Sequence, residues 1–239
     1  GAQVVDATTP KRFETLAASG QATLANERWT GGFDLKGTGK AAATTLGRLT
    51  LAHDGRTGAG GVHIAAPEVR FVEGGLQPSM LSPLVEAFVQ SPATGVVGFD
   101  GRFDWTKDGE PTSSGRLSVP GLDFVSPAGP VKGARGEIEF TSLSPAIITA
   151  PNQRLTVDSL DIGADATALD LNFAIDAAGF SIAGGSVQAG GGTVSIEPLV
   201  VPLDPTQAYS GVIVLDRVQL GDVVADSGFA DKVMLDAVV

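Results

Sequence analysis

From Leu169 to Asp176 the chain alternates apolar and polar positions. Leu169, Leu171, Phe173 and Ile175 fall on one side of an extended backbone, and Asp170, Asn172 and Asp176 on the other. A period of two marks a strand with one dry face and one wet face, whereas a helix would scatter the same residues around its axis. The pattern returns at Gly136-Glu137-Ile138-Glu139-Phe140-Thr141, Arg116-Leu117-Ser118-Val119, Arg154-Leu155-Thr156-Val157 and Arg48-Leu49-Thr50-Leu51. Turn chemistry bounds these runs at Asp54-Gly55, Asp108-Gly109, Pro120-Gly121, Ala178-Gly179 and Gly190-Gly191-Gly192. The chain is therefore predicted to be mainly β, a long antiparallel meander with one apolar face.

Composition narrows what such a sheet can do. The 239 residues include 16 basic and 27 acidic side chains, a net charge of −11. That excludes the basic footprint of a nucleic-acid binder and the polybasic patch that seeks anionic lipid. Cysteine is absent, which excludes disulfides, thiol catalysis and Cys-ligated metal. No apolar stretch approaches the length of a membrane-spanning helix. The apolar run Met234–Val239 ends the sequence without a turn or polar cap, so a segment of a longer protein is expected.

Helical signals are few. Ser82-Pro83 reads as an N-cap followed by proline at the first helical position, opening a helix through Gln90 with Leu84, Val85, Phe88 and Val89 on one stripe. Gly221 to Ser227 is a second short candidate. Both read as plugs or caps on a sheet. The organisation expected is an N-terminal part of the sheet over 1–75, a helical insert with connecting strands over 76–111, and the main segment over 112–239, truncated at its end.

Reactive motifs are weak. His53 and His63 would need to face each other, and find further ligands, to hold a metal. The series Asp158, Asp161, Asp165 and Asp170 lacks calcium-loop spacing and reads as solvated strand faces and turns. Gly37-Thr38-Gly39-Lys40-Ala41 fails the phosphate-loop pattern at Asp34 and Ala41. No catalytic residue, metal or cofactor is assigned. The apolar face itself remains. A second sheet would bury it in a sandwich; a single curved sheet would leave it as an open groove. The residues alone leave both open.

A set of phrases bears on that choice: Leu76-Gln77-Pro78 with Leu81-Ser82-Pro83, Gly101-Arg102-Phe103-Asp104-Trp105, Gly121-Leu122-Asp123-Phe124 with Ala128-Gly129-Pro130-Val131, Gly133-Ala134-Arg135-Gly136-Glu137-Ile138, Thr141-Ser142-Leu143-Ser144-Pro145, and Ala150-Pro151-Asn152-Gln153-Arg154-Leu155-Thr156-Val157. In order and spacing, over about 45–239, they resemble the C-terminal region of the YdbH-like proteins, within the AsmA-like group that includes TamB. The resemblance implies a U-shaped, taco-like β-groove with one or two short helices. It also implies a periplasmic protein of a Gram-negative bacterium, anchored in the inner membrane, that carries phospholipid between the inner- and outer-membrane surfaces.

On that reading the groove is lined by Leu117, Val119, Leu122, Phe124, Ile138, Phe140, Leu155, Val157, Leu169, Leu171, Phe173, Ile175, Phe180 and Ile182, with the 81–90 helix as a plug. The partner is a phospholipid or other acyl-chain lipid. Unpaired edge strands are expected to let copies associate. At Val212-Ile213-Val214-Leu215 both faces are apolar and the phase stays open. The alternative is a structural or adhesive β domain with a closed core. A carbohydrate enzyme is disfavoured by an aromatic content of 6%.

Overall fold

A computed structural model describes residues 1–219 apart from 9–10, 43, 128, 162–164, 178, 203–206 and 209. The strands are β1 (Ala2–Val4), β2 (Leu16–Ala25), β3 (Arg28–Gly37), β4 (Thr45–Asp54), β5 (Gly60–Phe71), β6 (Gln90–Trp105), β7 (Thr112–Ser126), β8 (Gly129–Ser142), β9 (Ile148–Thr149), β10 (Gln153–Asp161), β11 (Asp165–Ile175), β12 (Gly179–Ala189), β13 (Gly192–Ile196), β14 (Leu199–Pro202) and β15 (Ile213–Asp216). Among the described residues all fifteen belong to one sheet, and each named pair is antiparallel. The strands follow chain order from β1 to β8, then β10 to β13 and β15, with β9 beside β8 and β14 beside β12. The two outermost strands do not pair with each other, so the sheet is a meander and not a barrel.

Local chemistry makes the hairpins. Asn26 and Glu27 both adopt positive φ between the paired Ala25 and Arg28, a two-residue turn whose twist matches that of the strands. Gly190 and Gly191 do the same between Ala189 and Gly192. At the β4–β5 turn the Asp54 carboxylate accepts the backbone N–H groups of Arg56 and Thr57. Pro120-Gly121, expected to be a turn, lies inside β7. The pairing register shifts there between Val119 and Leu122 against β8. A bulge accommodates a residue without an N–H and bends the strand. Further shifts fall in β6–β7 and β11–β12.

Among the described residues the helical content is three 3₁₀ turns, Gly39–Ala41, Pro78–Met80 and Pro83–Ala87. The helix expected from Ser82 through Gln90 is thus a single short turn, and β6 already begins at Gln90. Ser82 stands at its N-cap with proline next, as read from the sequence, yet its hydroxyl makes no cap. It donates instead to the carbonyl of Arg12. The 221–227 candidate lies outside the described residues.

Three hydrophobic clusters lie along the apolar face. One sits at β2–β5 around Leu35 and Leu49. The largest, around Val69, Phe71, Leu122, Val131 and Val157, spans β4 to β10. The third, around Ala166, Val187 and Ala189, sits at β11–β12. One contact joins two connections far apart in sequence: Arg12, between β1 and β2, donates through Nη1 to the carbonyl of Leu143, just past β8, at 2.9 Å.

Candidate functional site

Cross-strand register assembles the apolar face from residues far apart in sequence. Residues directly opposite in a sheet share a face. One row runs Val119–Gly136–Leu155–Leu171–Gly185–Ile196–Ile213 across β7, β8, β10, β11, β12, β13 and β15. A second runs Ala66–Phe99–Leu117–Ile138 across β5 to β8. A third runs Phe33–Leu49–Ile64–Gly101–Gly115–Phe140 across β3 to β8.

All fourteen residues named from the sequence fall on this face. Leu117 stands opposite Ile138, Leu155 opposite Leu171 and Val157 opposite Leu169. Phe173 stands opposite Ile182, and Ile175 opposite Phe180. Leu122 pairs with Ala134, Phe124 with Val131, and Phe140 with Gly115 and Thr149. Val119, Leu122, Val157 and Phe173 are buried, and the other ten are half-buried. Register also settles the phase at 212–215. Ile213 and Leu215 stand opposite Ile196 and Val194 on the apolar face, while Val214 stands opposite Ser195 on the other.

The fourteen make up only part of the face. Phe33, Leu35, Leu49, Leu51, Val62 and Ile64 extend it through β3 to β5, and Phe99 and Phe103 through β6. The alternation at Arg48–Leu51 carried that signal; the glycines around it diluted the rest. Of the four residues placed on the plug stripe, Val89 packs on the largest cluster, beside Met80 and Leu81. Leu84 and Val85 are half-buried, and Phe88 is 59% exposed.

Two loops lie over the face. Gly101 and Gly115 are adjacent in the third row and leave a notch. The side chain of Leu143 drops into it, 3.3 and 3.0 Å from where Cβ atoms at these glycines would stand. The Leu143 carbonyl takes the Arg12 guanidinium, which also grips Asp6 through Nε and Nη2 at 3.1 and 2.9 Å. The Asp6 side chain is fully buried. The hydrogen bond from Arg12 holds its carboxyl well below the usual carboxylate range, against the opposing effect of burial and with help from the N–H groups of Arg12 and Thr8.

The opposite face is a lattice of diagonal ion pairs. Arg116 meets Glu137 at 2.9 Å, Arg135 meets Asp158 at 2.8 Å, and Arg154 meets Asp170 at 2.9 Å. Asp158 and Asp170, from the acidic series, are thus partners of arginines that lower their carboxyl pKa values. A shallow depression of about 510 Å³ also opens mainly on this side, beside Thr50, His63 and Arg102. His63 bonds Asp100 at 2.6 Å here. His53 lies on the apolar side, opposite Trp29 and accepting from Trp105 Nε1 at 3.3 Å. The two histidines therefore cannot share a metal, and no cluster of three metal-ligating side chains exists among the described residues. No helix among them is long and apolar enough to cross a membrane.

Among the described residues the arrangement offers an extended apolar surface assembled strand by strand. No curated protein and no solved structure matches the sequence. One family model does, over residues 3–228, and it is described as YdbH-like, intermembrane phospholipid transport protein YdbH. That match takes in every described strand but the first residue of β1, and by it the chain belongs to the YdbH-like family.

Proposed function

We propose that this protein carries phospholipid between membranes by holding acyl chains against the apolar face of its curled sheet. The observation that carries the reading is the row from Val119 to Ile213, seven strands wide with only apolar residues and glycine. Family membership points the same way. An acyl chain asks for a dry surface and no directional chemistry, since each CH₂ removed from water contributes about 0.8 kcal/mol. The thirteen strands of the main path give a trough about 58 Å long. Headgroups stay in water outside it, so transfer is sliding along the trough and no bond is made or broken. The groove is lined by the fourteen residues above. The protein works in the periplasm, held at the inner membrane, and delivers to the outer one. Its open edge strands pair copies or partners.

A second reading is a structural β domain without ligand. It draws on the burial of Val119, Leu122, Val157 and Phe173 by their own neighbours. Organic extraction of the purified protein followed by lipid mass spectrometry separates the two. Carriage predicts stoichiometric phospholipid that disappears with Leu171→Asp while the circular dichroism of the sheet is kept. Phospholipid no higher than in a soluble β protein from the same host would favour the closed domain.

A further inference from the structure

Both tryptophans of the chain stand on one cross-strand row of the apolar face. The row runs Leu24–Trp29–His53–Gly60–Trp105 across β2 to β6, beside the turns that join β2 to β3 and β4 to β5. Gly60 leaves the space that the Trp105 ring occupies, since a Cβ there would stand 2.7 Å from it. The indole thus lies across β5 and donates to His53 Nδ1, 3.3 Å away on β4. Trp29, opposite His53, is 42% exposed, and Leu24 beside it 54%.

Polarity changes steeply towards this end of the strands. Two residues inward the row is Gly31–Leu51–Val62–Phe103, with only apolar side chains. Just outward, at the turns, Arg28 meets Asp54 at 2.9 Å and Arg56 lies 3.7 Å from Glu27. Apolar side chains, then indoles, then paired charges follow the order of one bilayer leaflet. Tryptophan settles there between acyl chain and headgroup, because its ring is apolar and its N–H polar. At the opposite ends of β5 and β6 the chain itself covers the face. Leu76 and Gln77 are buried there, and Met80 and Leu81 pack on the largest cluster.

Resting on the lipid reading above, we propose that the tryptophan rim seats the headgroup end of the carried lipid, and that the headgroup it takes joins a phosphate to an ammonium. The tails then point inward along the strands, from Trp29 and Trp105 towards Leu51, Val62 and Phe103. The exposed ring of Trp29 offers its face to the ammonium, an attraction that a neutral alcohol lacks. The Arg56 guanidinium takes the phosphate. The charges of these two turns are matched, Arg28 and Arg56 with Asp54 and Glu27. A zwitterion finds both signs, while a purely anionic headgroup meets as much repulsion as attraction.

The two tryptophans make fluorescence a local probe, because the chain has no others. The delipidated protein is loaded from vesicles of phosphatidylcholine that carries a nitroxide either on the choline or at the end of a tail. The vesicles are then sedimented, so that only carried lipid remains, and loading is read by extraction and mass spectrometry. The choline nitroxide should quench most of the emission per bound lipid and the tail-end nitroxide little. Equal quenching by the two, including none from either with lipid bound, or stronger quenching from the tail end overturns the seat and leaves lipid carriage standing. No bound lipid overturns carriage, and the seat with it. Headgroup preference is read by loading from equimolar vesicles of phosphatidylethanolamine and phosphatidylglycerol with the same tails. The zwitterion should be enriched about threefold, the size of one exposed ion pair. Trp29→Leu leaves the net charge alone and should bring the ratio towards parity. Equal loading of the parent overturns the preference, and so does a ratio that Trp29→Leu leaves unchanged, which would assign it to the overall charge of −11.

Discussion

Phe173 on β11 and Phe180 on β12 stack with ring centroids 4.9 Å apart and planes 18° from parallel. They are not direct partners, since Phe173 stands opposite Ile182 and Phe180 opposite Ile175. The contact is diagonal, between residues on the apolar face. Phe173 is 3% exposed and Phe180 half-buried. Phe173→Ala should destabilise the protein by about 3–5 kcal/mol and Phe180→Ala by less. A double-mutant cycle in urea should return a coupling of about 1 kcal/mol. Strict additivity would mean the rings do not interact.

Acid should loosen the Asp6–Arg12 contact before it loosens the sheet. The folded-state pKa of Asp6 is depressed, chiefly by Arg12. Its contribution is therefore complete above the ordinary carboxylate pKa of about 4 and is lost as pH falls through that range towards the lower folded value. Asp158 and Asp170 are shifted the same way by Arg135 and Arg154, but their pairs face solvent and are screened by salt. Urea midpoints measured from about pH 6 to pH 2 should fall more gently in Asp6→Asn than in the parent. Asp158→Asn should hardly change that slope at high salt. Parallel curves for the parent and Asp6→Asn would show that the carboxylate carries no folded-state advantage.

Gln77 should matter more than its surface neighbours suggest. The residue is 5% exposed; its amide NH₂ donates to the carbonyls of Val72, Leu76 and Ala93, while its oxygen accepts the Ala93 N–H. Gln77→Leu keeps most of the volume and strands the buried Leu76 carbonyl and the Ala93 carbonyl and N–H, whereas the Val72 carbonyl keeps the Gly75 N–H. Each unsatisfied group costs about 1–3 kcal/mol, so a loss of about 3 kcal/mol is expected. The urea midpoint reads it, with Gln90→Leu, exposed at the start of β6, as the neutral comparison.

The Gln77 contacts also explain what the sequence could and could not reveal. Alternation at 116–119, 136–141, 154–157 and 169–176 reports which residues share a face, because a period of two is a local property. It identifies Leu171 as a neighbour of Phe173 without any knowledge of pairing. Bulges are not local in that sense. Pro120-Gly121 has turn chemistry, and only the register against β8 turns it into a bend within β7. The rim turn at 83–87 kept its proline and its cap position, but Ser82 was drawn to Arg12, seventy residues earlier in sequence. Arg12 itself carried no periodic signal. Its role arises from Leu143, 131 residues later in sequence, whose carbonyl it meets.

The last four-residue strand offers the sharpest test of which face is used. Ile213 is 64% exposed and Val214 44% exposed, so an aspartate at either position meets water and should shift stability by no more than about 0.5 kcal/mol. They differ only in side. Ile213 ends the row that starts at Val119, and Val214 lies beside Ser195 on the ion-paired face. If acyl chains lie along the apolar face, Ile213→Asp places a charge in their path that must be desolvated. Bound phospholipid, measured by extraction and mass spectrometry, should fall in Ile213→Asp and stay at the parent level in Val214→Asp. Equal loss in both would assign the effect to the open edge of the sheet. Retention in both would place the lipid elsewhere than this end of the row.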